Sequence, residues 1–410
     1  MPSGEFRPPF DFRCQTVRAY LAPTDIKNMN FELTPQQQAI QEKVRAFAQE
    51  EVAPLARETD ESGEFPMHLI KRMGELGFLA ATISADYGGS EMDYPSFTLI
   101  SEELGRADSS VRGFLAVHAS LVSLTINDWG TEAQKQTYLP LLASGEKIGC
   151  YCLTEPNAGS DVASMESTAR DEGDSYVLNG TKHWITNGGI ADIALVFASV
   201  DRSKRHGGIC CFIVETAWDG FNPRPMGGQE LGHRSSDHAF ITFDELRVPK
   251  ENLLGDVGEG FKVGMSALDH GRLGVAAGAV GIAQACLDAS LDFARKREQF
   301  GKRIGDFQMI QANIADMSAD IEAARLLVYK AADMKQKGLP TTRATSTAKL
   351  FATEMACKAA ADAVLIHGGR GYSSEYPVER LYRDIKGLQI YEGSSHVQRI
   401  VIARDLIGKN

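Results

Sequence analysis

The chain reads as an α+β protein laid out in series, with a helical N-terminal part, a middle part of short β-strands and a helical C-terminal part. Three observations carry that reading. Residues 34–145 hold helix-start signals followed by apolar residues at helical spacing. Near residue 147 the texture changes to short β-favouring runs punctuated by Gly and Pro. From about residue 258 long patterns rich in Ala and Leu return. The implied boundaries are an extension over 1–30, a helical domain over 31–147, an antiparallel β domain over 148–257 and a helical bundle over 258–410.

Each element has a local cause. Thr34-Pro35-Gln36-Gln37 is a capping box with Pro at the first helical position, ahead of Ile40, Val44 and Phe47. Phe65-Pro66 opens a second helix that Gly77 closes, and Pro95 opens a third through Ile100 and Leu104. Val111 to Ile126 is apolar but interrupted by Arg112, His118 and several Ser, so it reads as a buried helix. Thr131-Glu132-Ala133-Gln134 repeats the capping box before Tyr138, Leu139 and Leu142. Strands are expected over Ile148–Leu153, Ser175–Leu178, Lys182–Thr186, Ile193–Val200, Ile209–Val214 and His238–Phe243. Asn179-Gly180 between two of them is a hairpin signal. Long helices are expected over Phe261–Lys296, Phe307–Lys337 and Thr345–His367, and Ser395-His396-Val397-Gln398 reads as a capping box opening the last one.

Composition narrows the function. The chain has 410 residues, 43% hydrophobic and 24% charged, enough for a large core. A net charge of −11 argues against nucleic acid as a partner. The seven Cys form no CxxC pair; Cys150 and Cys152, and the adjacent Cys210 and Cys211, read as small buried strand residues, and no metal site is expected. Such a chain suits a reducing compartment, the bacterial cytoplasm or, in a eukaryote, the mitochondrial matrix. No uninterrupted apolar run reaches about 18 residues, so no transmembrane segment is expected. The first 28 residues lack a secretory apolar core, Glu5, Asp11 and Asp25 weaken a mitochondrial-targeting reading, and Met29 is an alternative start.

Five places could carry chemistry. Glu392, on the turn Ile390-Tyr391-Glu392-Gly393-Ser394-Ser395 before a helix, is either a general base or a residue that complements the helix dipole. The segment Tyr151-Cys152-Leu153-Thr154-Glu155-Pro156-Asn157-Ala158-Gly159-Ser160-Asp161 ends a strand in a loop of small and hydroxyl residues, suited to an anionic or heteroaromatic ligand or simply a turn. Trp184-Ile185-Thr186-Asn187-Gly188 offers an indole beside a hydroxyl, able to cover a flat cofactor or to fill the core. The run Arg295 to Arg303 is a basic cluster in an acidic chain, a phosphate partner or a solvated helix end. Gly368-Gly369-Arg370-Gly371-Tyr372 breaks two helices and permits close backbone approach. Gly258-Glu259-Gly260 lacks the spacing and preceding strand of a dinucleotide fingerprint.

Together these pieces resemble the acyl-CoA dehydrogenase family of flavoproteins over roughly residues 31–408, with YCLTEPNAGSD, WITNG, RKREQFGKRIGDFQ and YEGSSHVQRIVIARDLI in the family's order. The resemblance implies the acyl-CoA dehydrogenase fold, with a C-terminal four-helix bundle and FAD held between the β domain and the bundle. It further implies a homotetramer that passes electrons to an electron-transfer flavoprotein. On that resemblance Tyr151, Cys152, Leu153, Thr154, Gly159 and Ser160 line the flavin, with Thr154 bonding the ring, and Trp184, Ile185 and Thr186 form a second contact. Arg297, Phe300 and Gln308 reach the FAD of a neighbouring subunit. Leu365, Ile366, His367, Gly368 and Gly369, with Ser394, Ser395 and His396, complete the cofactor contacts. Ser160 also matches a position near the pantetheine arm. Asp269, His270, Gly271 and Arg272 match the acyl-CoA contact, Tyr391 and Gly393 flank the substrate, and Glu392 matches the catalytic base. Some relatives carry the base on the long helix just before the Arg, where this chain has Gly271. Departures are Leu365 for a frequent Gln, His396 for Gln or Glu, and Asn157 for a frequent Gly, an exchange that tolerates left-handed backbone.

The expected reaction is α,β-dehydrogenation of a short- or medium-chain acyl-CoA, most like the butyryl-CoA dehydrogenase branch. Branched, cyclic or aryl acyl groups, an oxygen-using oxidase of the same fold, and a non-catalytic flavin- or CoA-binding protein are the alternatives.

Overall fold

The computed structural model describes residues 32–226 and 230–408, so the expected extension over 1–30 lies outside it. The N-terminal part is helical: α1 (Pro35–Phe47), α2 (Ala56–Ser62), α3 (His68–Glu75), α4 (Tyr94–Ala107), α5 (Ser109–Leu115), α6 (Leu124–Trp129) and α7 (Glu132–Ser144). Both capping boxes form, Thr34 with Gln37 and Thr131 with Gln134, because each hydroxyl and amide satisfies a backbone group that the first helical turn leaves free. The expected buried helix over Val111–Ile126 is present, but Ala116–Ser123 between α5 and α6 widens to π-helical turns.

The middle part is one sheet: β1 (Gly149–Cys152), β2 (Thr168–Asp171), β3 (Ser175–Thr186), β4 (Ile193–Ser199), β5 (Ile209–Glu215), β6 (Phe221–Pro225), β7 (His238–Pro249) and β8 (Leu253–Leu254). Its order is β6-β7-β3-β2-β4-β5-β8, with β1 also on β4. The ladders are antiparallel except that β1 and β2 both pair β4 in parallel. The sheet is therefore mixed. Alternation in sequence does not report strand direction, which is set by the long excursion from β1 to β4.

Asn179-Gly180 does not make a hairpin. β3 runs straight through it, with a register shift against β7 between Leu178 and Gly180. The Asn179 amide donates to Glu245 Oε1 at 2.7 Å and its carbonyl accepts the Glu245 N–H at 3.0 Å, so this polar pair staples a bulge. The real turn lies at Glu172–Ser175, where Gly173 has φ 96°. β2 and β6 were not expected; β6 holds Pro223 and Pro225 and takes the sheet edge, where a missing N–H costs little.

The C-terminal part contains α8 (Gly260–Lys296), the hairpin β9 (Glu298–Gln299) and β10 (Lys302–Arg303), α9 (Gln308–Gln336), α10 (Thr342–His367), α11 (Val378–Leu388) and α12 (Ser395–Ile407). Helices α8 to α11 share one apolar core. Ser394, not Ser395, caps α12, accepting the Val397 N–H. Ser395 instead donates to Glu354, and Gln398 turns back onto the carbonyls before the helix. Ser109–Trp129 and Gly260–Lys296 are long and apolar enough to cross a membrane, but 89% and 78% of their most apolar stretches are buried within the protein, and they serve as core helices.

Glycine sets how closely α8 meets α4. A Cβ on Gly281 would lie 2.0 Å from the Glu102 carbonyl oxygen, and one on Gly105 2.6 Å from that of Gly278. Backbone meets backbone there, and no side chain fits between.

His118 ties the helical part to the sheet. Its Nε2 donates to the Leu142 carbonyl at 2.9 Å and its Nδ1 accepts the Gly149 N–H at 3.2 Å, which requires a neutral ring. Burial pushes its pKa down to about 4. The unfolded chain takes up this proton below pH 6.5 while the native state refuses it, so the contribution is present above pH 6.5 and is lost as pH falls towards 4. Between pH 7 and 5 the wild type should lose about 2 kcal/mol more stability than His118→Gln, whose amide can keep both bonds without titrating. Urea midpoints at the two pH values measure this; equal losses would rule out a neutral His118 as the cause.

Candidate active site

Glu392 occupies the turn between α11 and α12 with φ 54°, followed by Gly393 at φ 89°. A left-handed Glu is strained by about 1–2 kcal/mol and persists only where its surroundings insist on it. Here Lys349 of α10 donates from Nζ to the Tyr391 and Gly393 carbonyls at 2.6 and 2.5 Å. Gln398 donates to the Glu392 and Gly393 carbonyls at 3.2 and 2.8 Å. The turn is thus pinned from two helices, while the Glu392 N–H has no acceptor among the described residues.

The carboxylate points at α8. A Cβ on Gly271 would sit 2.0 Å from Glu392 Oε2, so the glycine is the space the carboxylate fills. Glu392 as a whole is half-buried, yet its Oε2 is inaccessible to solvent and has no hydrogen-bond partner. Burial pushes its pKa above the ordinary carboxylate range, against the opposing pull of Lys349, Arg112 and Arg272. Burial likewise drives Lys349 down to about 7, with Glu392 holding it up. Arg272 pairs with Asp269, which also accepts from Thr342. Arg112 donates to the Tyr391 hydroxyl.

The expected substrate residues Tyr391, Gly393, Gly271, Arg272 and Asp269 therefore converge on Glu392. His270 turns elsewhere, with Nε2 on Asp128 at 2.8 Å.

The expected flavin loop and the Trp184 segment are brought together. The His183 N–H donates to the Thr154 carbonyl at 2.9 Å. Lys182 reaches the Leu153 carbonyl and forms a fully buried pair with Glu155 at 2.7 Å. Burial opposes both charges, but Lys182 and the N–H groups of Glu166 and Ser167 hold Glu155 below its usual range. The side chains of Tyr151 and Cys152 point into the core, Tyr151 donating to the Gly264 carbonyl at 3.1 Å. Gly159 and Ser160 are exposed, and nothing approaches within 4 Å of a Cβ on Gly159. Trp184 bulges out of β3 with φ 60° and stays 54% exposed, while Ile185 is buried and Thr186 half-buried. Asn157 is not left-handed; its amide donates to Glu166.

The remaining cofactor residues gather at a different end of the bundle. Arg297 ends α8, Phe300 tips the β9–β10 hairpin, and Gln308 opens α9, exposed. His367 is buried, stacking on Phe293 at 4.3 Å, and so joins the end of α10 to the same region. Ile366 is buried beneath, Leu365 is exposed, and Gly368 and Gly369 face open space. Ser394 and Ser395 make the contacts given above, and His396 is exposed.

Sequence reasoning assigned no individual role at the site to Lys349, Gln398, Lys182, Glu155 or Arg112. A Lys inside an apolar helix, and an Arg inside an apolar run, were the available signals.

A buried carboxylate facing a bare stretch of helix is equipped to take a proton from an acidic C–H bond, and an outward Trp near a loop of small residues to meet a flat ligand. The comparisons agree: residues 34–146, 150–246 and 258–407 match the N-terminal, middle and C-terminal domains of acyl-CoA dehydrogenase. The chain is 45% identical to the short-chain specific acyl-CoA dehydrogenase of Clostridium acetobutylicum, covering 92% of this chain and 99% of that one. It superposes on butyryl-CoA dehydrogenase from Megasphaera elsdenii with TM-score 0.91 and 43% identity, over 93% of this chain and 100% of that one. A chain in a structure of the electron transferring flavoprotein of Acidaminococcus fermentans gives TM-score 0.91 at 44% identity, over 93% and 100%. The protein is a flavin-dependent oxidoreductase, and it belongs to the acyl-CoA dehydrogenase family.

Gly271→Ala should displace the Glu392 carboxylate, since a methyl group cannot share its space. Turnover should fall by about 10²-fold with flavin content retained, a misplacement effect. Steady-state kinetics beside the flavin absorbance ratio measures both, and wild-type turnover would show that the carboxylate moves freely.

Proposed function

We propose that this protein converts a short- or medium-chain acyl-CoA thioester to the trans-2-enoyl-CoA, with Glu392 removing the α proton. The observation that carries this is the buried, unpartnered Oε2 of Glu392, held in a strained turn against Gly271. Desolvation raises its basicity towards a carbon acid, with Lys349, Arg112 and Arg272 opposing that rise. The free Glu392 N–H would donate to the thioester oxygen and stabilise the charge that develops there as the proton leaves. Ser160, Asp269 and Arg272 would hold the rest of the acyl-CoA.

The residues present fit FAD. Trp184 offers an outward aromatic face and the Thr154–Ser160 loop offers backbone donors with open space above Gly159. Bound FAD would supply the acceptor for the β hydrogen as hydride and for passage of the electrons onward. An electron-transfer flavoprotein is the proposed recipient.

Arg297, Phe300, Gln308, Leu365, Gly368 and Gly369 would serve the cofactor of a second copy, in a homotetramer. Phe300, Met309, Leu365 and Tyr372 are 94%, 82%, 72% and 92% exposed, more apolar surface than a lone chain keeps in one region.

Glu392→Gln should retain flavin and bind acyl-CoA but lose anaerobic flavin bleaching by about 10³-fold, the scale of a missing general base. Normal reduction would remove Glu392 from the role, and rapid oxygen uptake without added acceptor would assign the oxidase alternative. Leu365→Glu should dissociate the assembly and release FAD together, read by mass photometry and flavin absorbance. Flavin loss from an intact assembly would separate the two roles.

A further inference from the structure

Arg112 on α5 is 1% exposed. Its Nη2 bonds the Tyr391 hydroxyl, and its guanidinium carbon lies 5.7 Å from that ring's centroid. Its Nε and Nη1 are buried without any partner. Among the described residues no carboxylate pairs with it. A guanidinium stays charged at any pH a protein tolerates, so these are two permanent donors facing nothing. The other two cations that act on Glu392 are engaged: Arg272 is ion-paired with Asp269, with its buried Nε unpartnered, and Lys349 donates to two carbonyls. A short aliphatic acyl group would leave Arg112 as it is.

The same bare face of α8 receives both groups. Gly271 admits the Glu392 carboxylate, and a Cβ on Gly278 would lie 2.8 Å from both Cδ and Nε of Arg112. Seven residues of helix separate the two glycines, about 10 Å. Between them Gly274 is faced by Phe97 and Ser101 at 3.6 to 3.8 Å, a mostly apolar wall. Contact distances of about 3 Å at each end leave about 4 Å, the reach of a few carbon atoms.

We infer that Arg112 selects an acyl-CoA whose acyl chain ends in a carboxylate, binding that carboxylate through Nε and Nη1 while Glu392 takes the α proton at the other end of the chain. The inference rests on the dehydrogenase reading of the site. It adds a substrate class, the ω-carboxyacyl-CoA thioesters, and no new chemical step. A carboxylate at Arg112 would satisfy both orphaned donors in one fork-shaped pairing, the geometry guanidinium favours.

The test uses the holoenzyme with glutaryl-CoA and adipyl-CoA against pentanoyl-CoA and hexanoyl-CoA. Wild-type kcat/KM should favour the carboxylated member of each pair by about tenfold or more, because a site built to bond a polar group rejects the analogue lacking it. Arg112→Met should lower kcat/KM for glutaryl-CoA by about 100-fold, at least about ten times the loss for pentanoyl-CoA. Equal losses would make Arg112 a prop for Tyr391 alone and overturn the inference. So would a wild type that turns over pentanoyl-CoA while ignoring both carboxylated substrates. Should Arg112→Met not fold, titration of the wild-type flavin spectrum with glutaryl-CoA and pentanoyl-CoA gives the same comparison as a ratio of Kd values. Failure to dehydrogenate any of the four thioesters would instead sink the dehydrogenase reading.

Discussion

The site depends on one helix face that has no side chains. Along α8, Gly271, Gly274, Gly278 and Gly281 fall on neighbouring turns, and each is occupied from outside. Glu392 fills the first, the Phe97 ring and Ser101 lie over the second, Arg112 lies across the third, and the α4 backbone presses on the fourth. Glycine in mid-helix costs about 1 kcal/mol each relative to Ala. That cost is offset by burial along the whole length of α8, whose remaining residues supply much of the bundle core. The helix can be bare on one face because it is so well packed on the others.

Charge is handled with the same asymmetry. Glu392 is surrounded by Lys349, Arg112 and Arg272, an excess of positive charge around one buried carboxylate. Lys349 directs its protons at the carbonyls of the strained turn, so the cation that acts on the Glu392 carboxylate also fixes its backbone. On the sheet side, Lys182 plays a parallel part, anchoring the Leu153–Glu155 loop beneath Trp184. Each buried Lys is structural support for a neighbouring loop of the site.

Much of this was legible in the sequence because it is locally determined. Thr34 and Thr131 cap their helices with residues three positions on, and the long helices of the bundle declare themselves by period. The readings that failed depend on partners far along the chain. Asn179-Gly180 carries the residues of a hairpin turn, and only Glu245 across the sheet makes it a bulge. The cap of α12 slips to Ser394 because Glu354 claims Ser395. The parallel entry of β1 onto β4 leaves no trace in either strand's own pattern. For the site, Glu392 and Gly271 were visible as residues, but that they occupy one volume is a fact of tertiary packing. Lys349 and Arg112 were hidden for a simpler reason: a cation in an apolar run gives no hint of which backbone or ring it will meet.

That shared volume also ties two distant positions together. Any side chain at Gly271 competes with the Glu392 carboxylate for one space. Substitutions at the two positions therefore act on a single contact, and their effects on stability cannot simply add. A methyl group at Gly271 that is intolerable beside Glu392 becomes acceptable once the side chain at 392 is shortened. The helix and the turn, far apart in the chain, are in this sense one site with two addresses.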